Sequence, residues 1–162
     1  MVLIVLGSES DLTKIEAATQ WLEKLGVAHE LTICSAHRTP ERAAELARTA
    51  RERGVRVIIA GAGAAAHLPG VLAAYTTLPV IGVPLSGTQL QGVDALYSIV
   101  QMPSGVPVAT VGIDNAANAA LLACEILALA DEELRERLEA ERAEMAAAVE
   151  AKAREHGRKF PG

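Results

Sequence analysis

Aromatic side chains are nearly absent: one Trp, two Tyr and one Phe in 162 residues, at Trp21, Tyr75, Tyr97 and Phe160. Four rings cannot build the stacking platforms of a single-stranded nucleic-acid binder. Cysteine is as scarce. Cys34 and Cys124 stand far apart, with no CxxC pair, so neither a disulfide framework nor a metal-binding framework is indicated. A basic excess is missing too, because 15 Lys and Arg face 20 Asp and Glu, a net charge of −5; nucleic-acid binders usually carry the opposite sign. Thirteen glycines without a period exclude collagen. No run of about 18 apolar residues occurs without a charge, Gly, Pro or polar break, which excludes a membrane helix. The opening MVLIVLGSESD lacks the basic n-region of a signal peptide, so a cytoplasmic protein is expected.

What the chain does have is aliphatic bulk. Hydrophobic residues make up 51%, too many for a disordered chain, and the mean hydropathy is +0.25. With membrane spans excluded, that value directs attention to a buried subunit interface. The stretch from Ala60 to Pro107 holds a single charged residue, Asp94, whereas Asp131 to Lys159 is densely charged.

Short aliphatic runs alternate with helical spacing. The pattern predicts strands at Val2–Leu6, Glu30–Cys34, Arg56–Ala60, Leu78–Val83 and Val106–Val111. Helices are predicted at Leu12–Leu25, Thr39–Arg53, Leu68–Thr76, Val93–Gln101 and Asn115–Leu129. Strands that are apolar throughout, rather than alternating, belong to a parallel sheet covered on both faces. The expectation is an α/β fold: a three-layer α/β/α sandwich, flavodoxin-like, with a doubly wound parallel five-stranded sheet and a long C-terminal helix. The whole chain, 1–162, reads as one catalytic domain, with an α/β core over 1–130. The helix over 131–156 has a narrow apolar seam at Leu134, Leu138, Met145 and Val149. It either packs on its own domain or lies on a neighbouring subunit.

In such sheets a ligand binds beyond the carboxyl ends of the strands, and three of those ends carry chemistry. The first strand runs into Gly7-Ser8-Glu9-Ser10-Asp11. Helix N-terminal amides with Ser8 and Ser10 can hold a phosphate, and Asp11 can accept from sugar hydroxyls; the same residues are also ordinary helix caps. The second runs into Ser35-Ala36-His37-Arg38, where Ser35 and the forked Arg38 guanidinium suit a phosphate. His37 there can move a proton near neutral pH, a role not read into the isolated His29 and His156. The third runs into Gly61-Ala62-Gly63-Ala64-Ala65-Ala66-His67-Leu68, small enough for a ligand to approach the backbone or for a tight turn to pack. The sum is a phosphorylated small molecule, with His37 as acid and base.

GSESD, SAHRTP, GAGAAAHLPG, VIGVP, GVDALYSIVQMPSGVPVAT and NAALLA, in this order and spacing over about residues 2 to 130, resemble the class I 5-(carboxyamino)imidazole ribonucleotide mutases of purine biosynthesis. The related class II carboxylases typically carry Lys in place of Arg38 and lack the AAHLPG run. The resemblance implies a flavodoxin-type octamer acting on a ribonucleotide, with no metal, organic cofactor or ATP. It places the phosphate with Ser8, Ser35 and Arg38, the ribose with Asp11, and the imidazole against the loop from Ala62 through Gly63 to Leu68. It makes His37 the general acid and base and His67 the second site histidine. The implied reaction moves a carboxylate from the exocyclic amine to ring carbon 4, or, in the related lyases, adds carbon dioxide there directly.

Two departures stand out. Ala64 occupies a position where that family usually has Gly; if the position needs φ > 0, its methyl costs about 1 kcal/mol. The segment GIDNAANAALL is about two residues shorter than the common pattern, which affects local loop geometry near Asp114.

Three other readings fit the fold less well. A flavin carrier would want aromatics around the isoalloxazine and would leave His37 and His67 unexplained. A phospho-acceptor domain needs an Asp at the third strand end, where Gly61 stands. A catalytically dead structural subunit would not need Ser35, His37, Arg38 and His67 together.

Overall fold

The first strand, β1 (Val2–Leu6), is buried at every position, so it must be covered on both sides. Its alternate residues feed two separate cores. Val2, Ile4 and Leu6 join one, with the helices α1 (Leu12–Lys24), α5 (Ala116–Ala128) and the start of α6 (Glu132–His156). Leu3 and Val5 join the other, with α2 (Pro40–Thr49), α3 (Leu68–Ala74) and α4 (Val93–Val100). The remaining strands are β2 (His29–Ile33), β3 (Val57–Gly63), β4 (Val80–Leu85) and β5 (Ala109–Thr110). All neighbours pair in parallel, in the order β2-β1-β3-β4-β5. This is the flavodoxin-type order, with its switch point between β1 and β3. The structure, a computed structural model, describes residues 1–157.

The three-layer fold and the element order follow the sequence reading; several boundaries differ, for physical reasons. Strand β3 runs on through Gly61 to Gly63 rather than stopping at Ala60. A Cβ on Gly61 would stand 2.8 Å from Leu6 Cδ2 and 3.2 Å from Leu85 Cδ1. That glycine is there for the sheet's own packing, not for a ligand. Strand β5 keeps only two of the six residues expected, pairing Ala109 with Ile81 and Thr110 with Gly82. Pro107 has no amide to donate to a ladder, and Val106 turns back to Pro103. Helix α2 ends at Thr49, with residues up to Gly54 (φ +82°) turning the chain into β3.

Alanine sets how closely α1 and α5 approach. Ala116, Ala119, Ala120 and Ala123 of α5 are buried in the core shared with Ile15, Ala18 and Leu22 of α1. Helix α6 divides in two. Leu134 is buried and Leu138 half-buried against α5, while Lys24 pairs with Glu141 at 2.5 Å and Arg142 with Glu125 at 2.7 Å. Lys24 also lies 5.1 Å from the centre of the Trp21 ring, and Trp21 packs on the same core. Beyond that point Met145 is 43% and Val149 68% exposed. The first turns of α6 pack on their own domain and the rest leaves its apolar seam uncovered.

Close packing at the α1–α5 contact makes a size test possible. Ala120→Leu should lower the unfolding free energy by about 1–3 kcal/mol through overpacking, measured by urea titration; an unchanged midpoint would contradict the contact.

Candidate functional site

The register of the sheet brings the strand ends level. Leu6 is opposite Ile33 on one side and Gly61 on the other, so Ser8, Ser35 and Gly63 each lie two residues past a common line. Gly61 is in turn opposite Val83, and Gly63 opposite Leu85, which puts Ser86 just beyond the same edge. Backbone bonds extend the match: Cys34 N–H donates to Leu6 O at 2.8 Å, and Gly7 N–H to Gly61 O at 3.1 Å. The result is a cleft of about 570 Å³, within the ordinary range for a small-molecule site.

All ten residues singled out in the sequence line this cleft: Ser8, Ser10, Asp11, Ser35, His37, Arg38, Ala62, Gly63, His67 and Leu68. Ser8 caps a single 3-10 turn, Glu9–Asp11, accepting from Ser10 N–H at 3.4 Å and Ser10 Oγ–H at 3.0 Å. Its capping role is therefore real, and its own hydroxyl proton remains to be donated. Asp11 makes no side-chain cap to α1. Burial pushes its carboxyl above the usual carboxylate range, with the Lys14 ammonium pulling the other way.

The Ser35–Arg38 turn is tied internally. Ser35 Oγ accepts from Arg38 N–H at 3.2 Å and from Arg38 Nε–H at 3.4 Å. The guanidinium is thus held by one edge, and its terminal nitrogens make no other bond among the described residues. Charge-assisted, forked donors of this kind suit a phosphate.

The two histidines meet across the β1–β3 switch point. His37 Nε2 lies 2.7 Å from His67 Nδ1, with ring centroids 4.9 Å apart and planes at 79°. A bond that short between two ring nitrogens holds one proton between them, so only one of the facing nitrogens can be the donor. His67 precedes α3 directly, and Ala64 to His67 is a tight double turn, with Ala66 N–H on Ala64 O at 2.9 Å and His67 N–H on Ala65 O at 2.8 Å. Ala64 sits at φ +52°, so the conformation suited to glycine is imposed on a residue with a methyl group.

The cleft also takes in Ser86, Gly87 and Thr88 from the end of β4, which the sequence reading passed over. The rule that pointed to the first three strand ends applies equally to the fourth, and Ser-Gly-Thr directly after the apolar VIGVPL run was the available signal. Thr88 Oγ–H donates to Asp94 Oδ2 at 2.8 Å and accepts from Leu90 N–H at 3.1 Å, so its hydroxyl is committed to the loop.

Comparison with known proteins places the chain among relatives of one family. The AIR carboxylase family model matches residues 1–148. N5-carboxyaminoimidazole ribonucleotide mutase of Pyrococcus horikoshii is 58% identical over 154 residues, covering 95% of this chain and 87% of the relative. That of Synechocystis is 62% identical over 128 residues, 79% of this chain and 73% of the relative. Phosphoribosylaminoimidazole carboxylase of Schizosaccharomyces pombe is 63% identical over 128 residues, but these span only 23% of that longer protein. The crystal structure of Treponema denticola PurE superposes with a TM-score of 0.87 at 28% identity, covering 97% of this chain and 98% of that one.

The strained turn gives a direct test. Ala64→Gly should stabilise the fold by about 0.5–1 kcal/mol, the left-handed penalty less the entropy glycine loses on folding. Thermal unfolding of the two proteins side by side checks it, and a lower midpoint for the glycine form would contradict a left-handed backbone at this residue.

Proposed function

The chain belongs to the AIR carboxylase family, and from that footing we propose that it converts 5-(carboxyamino)imidazole ribonucleotide to 4-carboxy-5-aminoimidazole ribonucleotide in purine biosynthesis. It is an isomerase that moves a carboxylate within one substrate. The observation that carries the chemical reading is the 2.7 Å contact between His37 and His67, beside an Arg38 already held by Ser35.

In this reading the phosphate rests on Ser8, Ser10, Ser35 and Arg38, and the ribose hydroxyls on Asp11. The imidazole lies against Ala62, Gly63, His67 and Leu68. Protonated His37 gives its proton to the carbamate nitrogen. The C–N bond then breaks with its electron pair staying on nitrogen, and carbon dioxide is released. The ring, now an enamine, attacks through carbon 4 and forms the new C–C bond. Carbon 4 is then tetrahedral and carries both the carboxylate and its original hydrogen. Neutral His37 removes that proton, aromaticity returns, and the histidine is protonated again for the next cycle. One imidazole can serve in both directions, as an acid when protonated and as a base when neutral. His67 on the far ring nitrogen steadies the imidazole and shares its charge. The pocket supplies proximity: carbon dioxide held next to carbon 4 reacts as part of the same molecule. Neither ATP nor a metal or organic cofactor enters these steps.

The lyase alternative is direct carboxylation of 5-aminoimidazole ribonucleotide; the fungal relatives carry the name phosphoribosylaminoimidazole carboxylase. Offering the enzyme the carboxyamino compound, and separately 5-aminoimidazole ribonucleotide with bicarbonate, distinguishes the two. The first should be turned over with no burst of free carbon dioxide, and preference for the second would make it a carboxylase. On the preferred substrate His37→Asn should lower kcat at least ~100-fold and leave binding of the product nearly unchanged; retained turnover would remove His37 from its role.

We also propose that the whole chain acts as one catalytic domain in a cytoplasmic homo-octamer. Leu90, Val93, Tyr97 and Val100, at 62%, 43%, 62% and 48% exposure, form an apolar stripe on and before α4. The outer half of α6 leaves Met145 and Val149 open as well, which suits packing on a neighbouring subunit. Among the described residues no helix is long and apolar enough to cross a membrane, so these faces have a protein surface as their natural cover. Light scattering after size exclusion should give eight times the 16.9 kDa chain mass, and Tyr97→Glu should shift it downward; a single-chain mass for the unaltered protein would overturn the assembly.

A further inference from the structure

Two charged side chains that do not line the cleft converge on the one residue that begins its fourth wall. Lys14, half-buried in the first turn of α1, donates from Nζ to the Ser86 carbonyl oxygen and lies 3.0 Å from Ser86 Oγ. Asp114, in the loop before α5, accepts from Ser86 N–H through Oδ1 at 2.9 Å and from Ser86 Oγ–H through Oδ2 at 2.5 Å. Every polar atom of Ser86 is therefore engaged, by partners 72 and 28 residues away in sequence. Asp114 is itself held at φ +55°, its own N–H donating to Pro84 O at 2.9 Å. A residue in that region persists only where its surroundings hold it there, and here the loop before α5 turns the carboxylate onto Ser86.

The segment that follows Ser86 is irregular and is held mainly by bonds within itself. Gly87 (φ +149°), Gln91 (φ +50°) and Gly92 (φ +90°) break regular structure between β4 and α4. Within it Leu90 N–H and Gln91 N–H bond back to Thr88, and its side-chain tie to a neighbouring element is the Thr88 hydroxyl on Asp94 of α4. Yet Ser86, Gly87 and Thr88 form one side of the cleft.

We infer that Lys14 and Asp114 are positioning residues, which staple the Ser86–Thr88 wall from opposite sides so that carbon dioxide freed in the first half of the reaction stays beside carbon 4 for the second. The staple is a property of the protein alone; what it retains rests on the mutase reading above. Because ammonium and carboxylate act on one shared serine rather than on each other, losing either loosens the same wall, and losing both loosens it little further.

The test uses the full-length oligomeric enzyme and the variants Lys14→Met, Lys14→Arg, Asp114→Asn and the Lys14→Met/Asp114→Asn double. Hydrogen exchange of the amides from 86 to 92, without any ligand, should speed up in Lys14→Met and Asp114→Asn and return toward the original rate in Lys14→Arg. With the carboxyamino substrate, the ratio of 5-aminoimidazole ribonucleotide released to carboxylated product should rise about tenfold. KM should rise more than kcat falls, and the double variant should match the worse single one. An unchanged exchange rate overturns the staple. A faster exchange with an unchanged product ratio overturns its part in retention. Failure of the unaltered enzyme to use the carboxyamino compound would instead defeat the mutase reading, with the exchange measurement still deciding the staple. If Asp114→Asn does not fold, the pair Lys14→Met and Lys14→Arg decides the same question.

Discussion

The parallel pairing of β1 with β2 and β3 is the constraint on which the rest depends. A parallel ladder fixes register evenly along its length, and here it sets Leu6 beside Ile33 and Gly61. Because all three strands point the same way, their following residues emerge on one edge together. A slip of one residue on any strand would turn its side chains to the opposite layer and would also withdraw Ser8, Ser35 or Gly63 from the edge. Core and site are specified by the same pairing, so the buried aliphatic residues of β1 have a functional consequence without touching a ligand.

Around that edge the polar groups are largely satisfied by one another. Ser8 is bonded to Ser10, Ser35 to Arg38, His37 to His67, and Ser86 to Lys14 and Asp114. Such mutual ties hold donors in place, and groups already oriented need less reorganisation when charge develops. The serines that cap and the serines proposed to bind a phosphate are the same atoms. One hydroxyl can accept within the loop and still donate outward, so the two readings of GSESD are compatible.

Much of this could be read from the residues. Uniformly apolar strands pointed to the parallel sheet, and the polar residues directly after the first three strands pointed to the cleft. Of the two readings of the glycine run, Gly63 lines the cleft while Gly61 answers to Leu6 and Leu85 across the sheet, and contacts between strands cannot be seen along a single chain. Ser-Gly-Thr after the fourth strand was a signal of the same kind as the other three strand ends; what could not be read along the chain is the bonding of Ser86 to Lys14 and Asp114, distant in sequence. The residues left two readings of α6 open, since an apolar seam shows that something is covered but not by what. Ala64 shows the opposite situation, where a departure at one residue correctly flagged a backbone conformation that the structure contains.

The sole tryptophan stands at a junction. Trp21 packs on the core shared by α1 and α5, under Lys24, whose ammonium also reaches Glu141 on α6. With only two tyrosines elsewhere, the near-ultraviolet emission of this protein comes almost wholly from that one indole. Its fluorescence therefore offers an intrinsic optical signal for the docking of the long helix, readable without a label.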